Sequence, residues 1–593
     1  MERFPISICM AGAVSAGSYS AGAMSVLIEA LRRLDDDELD LPHRPVHKIA
    51  LKGISGASAG SMQAALSALD IFSAKGQDGN YQELGKKAWY ESTIDKLLGI
   101  EDLESDNEIF SILNSEYLKN NALQRISEHI KLDSIPSFIE GSFQLRFSIT
   151  NLRGVPYSLS FPEGNSVKFG MSQHNEYVRY SFSSNGEEVA NYRNINPLNI
   201  RPSDYESLID GALASGAFPL VFAVKGLDRN RLNGNDIFTN LFVPSLASAR
   251  ESNGAITANY EMLRVSPSWR YQNIHKVYAV DGGVTNNEPL VEAFKILYGD
   301  DFWDWEANPA DKRGRVIFID PFPNPVDKEI DKKTTRVDKA LGLMLSALIG
   351  HARYSPKLIA SKEHQNKVGL VYPSLPWKQT ASDVDTESVG QFAIKSGALG
   401  GFSGFLKKEF MEYDYALGRL NMRRFLRYHF TLDKNNALFE NDNDYQVNWD
   451  NGEGELPIIP VYVKNSDESY SIFNNPYEQK ESYYQEGLKD FTHKYEFSDR
   501  NKLSKLLIQR LNVVGTKMID VHGEAEENRI KQLRGTNVIK TSMMRWGWKF
   551  FGAKFLSSSF IRTVENSLYK QGLLNYSLFD EDGDNDSENS IFE

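Results

Sequence analysis

Along the first third of the chain, apolar and polar positions repeat one plan: a short β-rich run, a turn of small residues, then apolar positions at helical spacing. The first copy is "FPISICM" (4–10), "AGAVSAGS" (11–18) and "YSAGAMSVLIEALRRL" (19–34), where Met24, Leu27, Leu31 and Leu34 form one stripe. The second is "VHKIALKGIS" (46–55), "GASAG" (56–60) and "SMQAALSALDIF" (61–72), with Met62, Ala65, Leu66 and Leu69 on one helical face. Each predicts a strand, a turn and a helix. A third apolar run, "HKVYAVD", meets Gly282-Gly283, and "GRVIFID" at 314–320 reads as another buried strand.

Strands alternating with helices predict an α/β fold with a mostly parallel central sheet covered on both faces. "FQLRFSITNLRGVPYSLSF" (143–161) alternates well enough to predict a pair of strands turning near Gly154, and the polar stretch from about 165 to 202 reads as a surface insertion. Beyond about residue 330 the pattern changes to helices rich in aromatic and charged residues. We therefore expect a first domain over 1–330, a mainly helical C-terminal region over 331–578 and an acidic tail over 579–593. No fixed-period repeat is present.

Composition narrows the function classes. A net charge of −13 argues against a general attraction to nucleic acid or anionic membranes, so no nucleic-acid partner is expected and any lipid contact must be local. The single cysteine, Cys9, forbids an intrachain disulfide and offers no thiolate cluster for a metal; a reducing, cytoplasmic setting follows. Ser and Gly interrupt the N-terminal apolar residues, which excludes a signal peptide, and "LGLMLSALIG" (341–350) is too short to span a bilayer. In the tail, Asp582, Asp584, Asp586 and Glu593 have calcium-loop spacing, but Ser587 stands where the loop needs Gly and no exiting helix follows; no metal or cofactor is assigned.

The candidate chemistry is that of an activated serine. A hydroxyl nucleophile needs a constrained, exposed turn, a base for its proton and donors for the developing oxyanion. Gly56-Ala57-Ser58-Ala59-Gly60 supplies the turn, although the same pattern also suits a helix cap. Asp281, at a strand end and followed by Gly282 and Gly283, is the preferred base; Asp320 is the rival. The turn Gly12 to Gly17 precedes a helix, so its amides, with Gly12, Ala13 and Val14 foremost, are candidates for the oxyanion hole. A nucleotide-binding reading of that turn fails because no Gly-Lys-Ser/Thr follows.

Taken together, "GAVSAGSYSAGAM", "GASAG", "FSITNLRGVPYSLSF", "ALASGAFPLVFA" and "DGG", in this order over residues 5 to 330, resemble the landmarks of the patatin-like phospholipases. The resemblance implies a three-layer fold and a Ser58–Asp281 dyad that uses no histidine. It also implies a serine acyl hydrolase of phospholipase or lysophospholipase type, acting on membrane phospholipid or another acyl lipid. The family's turn usually reads Gly-Gly-Gly-X-Arg/Lys-Gly, whereas Ala13, Val14 and Ala16 stand here. That departure keeps open a catalytically inactive binding or scaffold protein. A triad esterase using His351 or His429 is the remaining alternative.

Two later segments draw attention. In "LGGFSGFLKKEFMEYDYALGRLNMRRFL" (399–426), which resembles an extension of some bacterial patatin-related proteins, Asp414, Arg419 and Asn421 read as a structural ion pair and its neighbours rather than a site. "MMRWGWKFFGAKFLSSSFIR" (543–562) mixes aromatic and basic residues and suits either a core helix or a peripheral membrane contact.

Overall fold

A computed structural model describes residues 3–75, 81–104, 111–128, 134–160, 168–183, 188–189, 192–219, 221–228, 242–252, 255–264, 276–299, 313–323, 366–375, 389–473, 488, 491–533, 548 and 552–576. The tail from 579, the segment 341–350 and His351 lie outside them, as do most of residues 543–551.

The repeated plan folds as expected. Strand β1 (Arg3–Met10) leads through the small-residue turn into α1 (Gly17–Asp35), and β2 (Lys48–Ala57) leads through Ser58 into α2 (Ala59–Ile71). Three shorter helices follow: α3 (Leu84–Glu91), α4 (Ile94–Leu97) and α5 (Ser115–Ser127). Next come the long strands β3 (Phe143–Ser160) and β4 (Lys168–Phe182), the short β5 (Arg193–Ile195) and α6 (Pro202–Ser215). After β6 (Lys225–Asp228), a separate antiparallel pair forms from β7 (Phe242–Ser252) and β8 (Ala255–Arg264). β9 (Lys276–Asp281), α7 (Gly283–Asn286), α8 (Leu290–Tyr298) and β10 (Arg315–Ile319) complete the first part.

Nine strands make the main sheet, in the order β11-β10-β1-β2-β3-β4-β5, where β11 is Val368–Val371; β9 pairs with β3 and β6 with β9. The five strands from β11 to β3 are parallel, while β3–β4, β3–β9 and β6–β9 are antiparallel. Alternation sorts β1 between two cores: Ile6, Ile8 and Met10 join the large cluster under α1 and α2, whereas Cys9 joins Ala293 and Phe294 of α8 on the opposite face. Helices therefore cover both faces of a mostly parallel sheet.

Two local expectations are corrected. No turn divides residues 143–160; β3 runs through, and Gly154, at φ +71°, sits in a bulge where the pairing jumps from Thr150↔Asn175 to Val155↔Gln173. The polar stretch after 165 is not all insertion either. β4 belongs to the sheet because it pairs with β3 and Val178, Tyr180 and Phe182, at every second position, are buried in the main core.

The later part of the chain is built onto this frame. Helix α9 (Lys408–Tyr428) crosses α1 so closely that a Cβ on Gly22 would stand 2.0 Å from the Tyr415 carbonyl oxygen, and one on Gly418 2.1 Å from that of Tyr19. Arg419 pairs with Glu29 of α1 at 2.9 Å rather than with Asp414, and Asn421 accepts from the Tyr19 hydroxyl at 3.1 Å while donating to the Ser374 carbonyl. Further along, Arg510 on the helix Phe497–Leu533 is fully buried against Asp102 at 2.8 Å. The three residues singled out in α9 are structural ties between layers.

Candidate active site

Ser58 occupies a forced position. It is the single residue between β2 and α2, at φ 52° and ψ −128°, a region that L-residues avoid and that lifts the side chain off the strand end. The small neighbours are required by packing: a Cβ on Gly60 would lie 2.4 Å from the Met10 carbonyl oxygen, and one on Gly56 2.8 Å from Gly60 itself. Ser215, the last residue of α6, ties the elbow down. Its hydroxyl accepts from the Ser58 amide at 3.0 Å, lies 2.8 Å from the Ser61 hydroxyl and donates to the Ser148 carbonyl. Ser215 lies within "ALASGAFPLVFA", where no local signal marks its role, since only the fold brings α6 to the elbow.

Asp281 meets Ser58 from an unexpected direction. The expectation was a carboxylate at the end of a parallel strand; β9 instead runs antiparallel to β3, and Asp281 sits beside Ile149, one residue past the Ala57↔Ser148 pair of β2 and β3. Both side chains thus arrive at one level of the sheet edge. The Ser58 Oγ donates to Asp281 Oδ2 at 2.6 Å, and the Gly283 amide donates to Oδ1 at 2.7 Å. The Asp281 backbone is pinned by its own amide to Ala217 and by Thr150 Oγ1 to its carbonyl, both at 2.9 Å. Gly282 is wedged against β3, where a Cβ would stand 2.0 Å from the Ser148 carbonyl oxygen.

Burial sets the chemistry of this pair. Asp281 is 2% exposed; desolvation pushes its carboxyl up from 3.8 to about 7, against the opposing hydrogen bonds from Ser58 and Gly283. A carboxylate with that proton affinity is far better matched to taking a proton near neutral pH than an ordinary aspartate. The rival Asp320 turns elsewhere, its Oδ1 accepting from the Phe322 amide at 2.9 Å. His429 closes the C-terminal end of α9, its pKa lowered by burial, and makes no hydrogen bond to either member of the dyad.

The turn after β1 lies against Ser58. A Cβ on Gly12 would come within 3.1 Å of Ser58 Cβ and 2.2 Å of Asn287 Oδ1. The Gly12 amide itself donates to the Asn287 carbonyl at 3.1 Å, so it is already engaged. The amides of Ala13 and Val14 have no acceptor among the described residues. At the other side, Ala59 and Gly60 open α2, whose first-turn N–H groups carry its partial positive charge. No group of His, Cys, Asp and Glu able to hold a metal ion occurs among the described residues.

The arrangement is that of a serine held on a strained elbow, a desolvated carboxylate on its hydroxyl and a neighbouring turn with free amides. The chain is similar to the uncharacterized protein y4iI of Sinorhizobium fredii (strain NBRC 101917 / NGR234), 27% identical over 500 residues that cover 76% of this chain and 67% of that one. Residues 8–294, which carry both Ser58 and Asp281, match the family model for the patatin-like phospholipases. The match supports lipid acyl hydrolysis at the level of that family.

Proposed function

We propose that the protein is a carboxylic ester hydrolase that cleaves fatty-acyl esters of membrane phospholipids or lysophospholipids through a Ser58–Asp281 dyad. The observation that carries this reading is the 2.6 Å hydrogen bond from Ser58 Oγ to a buried carboxylate whose proton affinity lies near neutrality. As Ser58 Oγ attacks the ester carbonyl, its proton passes to Asp281 Oδ2, and the carbonyl π electrons move to oxygen to give a tetrahedral oxyanion. Collapse expels the alcohol, which takes the proton back from Asp281 and leaves an acyl-Ser58 ester. Water then gives a proton to Asp281 and its oxygen to the acyl carbon; the second collapse returns the proton to Ser58 and releases the fatty acid. The Ala13 and Val14 amides are assigned to the oxyanion, with the helix dipole of α2 adding to the field.

Two features support an acyl-lipid substrate. An apolar pocket lined by Met62, Leu66, Leu69, Trp89, Leu208 and Leu213 lies along α2, the helix that follows Ser58, and offers apolar surface on that side of the elbow. The helix Ala553–Lys570 exposes Phe555, Leu556 and Phe560 beside Lys554 and Arg562, which suits peripheral contact with a lipid headgroup zone. Among the described residues no helix is long and apolar enough to cross a membrane. A cytoplasmic enzyme working at the membrane surface fits these features.

The test is fatty-acid release from vesicles of phosphatidylcholine and lysophosphatidylcholine, comparing wild type with Ser58→Ala. Release by wild type alone supports the reading. Equal release by both variants removes the Ser58 assignment; no release by either from any acyl ester removes the hydrolase reading and leaves the inactive binding protein.

A further inference from the structure

Val14 raises a problem that the dyad does not solve. It is a β-branched residue at φ 47°, a left-handed conformation that costs on the order of 1–3 kcal/mol and persists only where the surroundings over-determine it. The residue after it shows what does so. Ser15 is fully buried, and its hydroxyl is bonded twice to the C-terminal part of the chain: it donates to the Gly401 carbonyl and accepts from the Gly404 amide at 3.0 Å.

The gripping segment is itself closely fitted and anchored. Gly401, at φ +104°, brings its backbone against Val14, since a Cβ there would lie 3.2 Å from Val14 Cβ; one on Gly404 would lie 2.6 Å from Ser15 Oγ. Asp414 of α9 is fully buried and accepts from the Lys395 and Ser396 amides at 2.7 and 2.9 Å, as well as from the Ser396 hydroxyl. The Leu399 amide donates to Ser567 on the helix Ala553–Lys570 at 3.0 Å. The segment thus has two footholds outside the turn.

We infer that Ser15 is a positioning residue: clamped by Gly401 and Gly404, it holds Val14 in its strained conformation and so keeps the Ala13 and Val14 amides directed at the oxyanion. The C-terminal region thereby completes the active site without contributing a group that touches substrate. This rests on the hydrolase reading above and assigns part of its transition-state stabilisation to residues more than 380 positions away, as the separation of Ser15 from Gly404 requires.

The clamp and the fold make different predictions for Ser15→Ala. Loss of an oxyanion donor outright lowers kcat by about 10²–10³; loosening two donors through the clamp should lower kcat per active site by about tenfold to a hundredfold with KM within twofold. Active sites are counted by fluorophosphonate titration, so a misfolded fraction does not enter. The affinity of a trifluoromethyl ketone, whose hemiketal oxygen mimics the oxyanion, should weaken by the same factor as kcat falls. In Val14→Gly/Ser15→Ala the strain that needs the clamp is gone, and most of the loss should be recovered. Unchanged kcat per titrated site in Ser15→Ala, or a fall with no change in ketone affinity, overturns the clamp while leaving the dyad intact. A wild type that forms no adduct and hydrolyses no ester removes the hydrolase reading and the clamp together.

Discussion

Replacing Asp281 by Asn separates what burial does to stability from what it does to catalysis. The carboxyl's rise from 3.8 to about 7 means that the folded protein holds a proton that the unfolded chain has already released. Below about pH 4 both states are protonated and nothing is lost. Between about 4 and 7 the folded state binds the extra proton, so stability falls as pH rises, and above 7 the full penalty of a buried carboxylate is present. At 1.36 kcal/mol per pH unit the span corresponds to roughly 4 kcal/mol, of which about 3 kcal/mol falls between pH 5 and pH 8. Asn keeps the shape: its Oδ1 can accept from Gly283, and its amide can face the Ser58 oxygen. Urea unfolding of wild type and Asp281→Asn at pH 5 and 8 should therefore show a larger fall for wild type. Asp414 and Asp70, also raised by burial to about 6 and about 8, contribute equally to both proteins and cancel in the comparison.

The same ionisation governs turnover. Only the carboxylate can take the Ser58 proton, so wild-type kcat/KM for a neutral ester should be level above about pH 7 and fall about tenfold per pH unit below it. Asp281→Asn should lose activity at every pH. A profile that stays flat down to pH 5, or identical pH slopes of stability in the two proteins, would refute the argument that desolvation tunes this carboxylate.

Other substitutions test the surrounding frame. Ser215→Ala removes the acceptor of the Ser58 amide and should cost about 1–3 kcal/mol, lowering kcat more than it raises KM, as stopped-flow acylation would show. Gly418→Ala drives a Cβ to 2.1 Å from the Tyr19 carbonyl oxygen and should lower the thermal midpoint by several degrees through the α1–α9 crossing. Although burial opposes it, Lys295 and Arg146 hold the Glu292 carboxyl well below the usual range; Glu292→Gln removes the buried carboxylate that faces both cations and should destabilise by about 3–5 kcal/mol in urea.

Much of the proposed Ser58–Asp281 pair was legible because its signals are local. Small residues between an apolar run and a helical stripe mark a tight turn, and Gly282-Gly283 marks the close approach of Asp281 to β3. Residues whose role depends on distant contacts carried no such mark. Nothing near Ser215 says that α6 ends at the elbow, and nothing near Ser15 says that Gly401 and Gly404 will reach it. β9 looked like one more parallel strand because its composition is the same whichever way it runs. The replacement of glycines by Ala13 and Val14 read as a weakness of the turn; its support lies in a segment whose own sequence shows only small and aromatic residues.

The central claim is that Ser58 is the nucleophile and Asp281 its base. Mass spectrometry of the protein after exposure to a fluorophosphonate tests it most directly. The account predicts a single adduct, on the peptide carrying Ser58, absent in Ser58→Ala and formed at least a hundredfold more slowly in Asp281→Asn. An adduct on another residue, or labelling of Asp281→Asn at the wild-type rate, would contradict it.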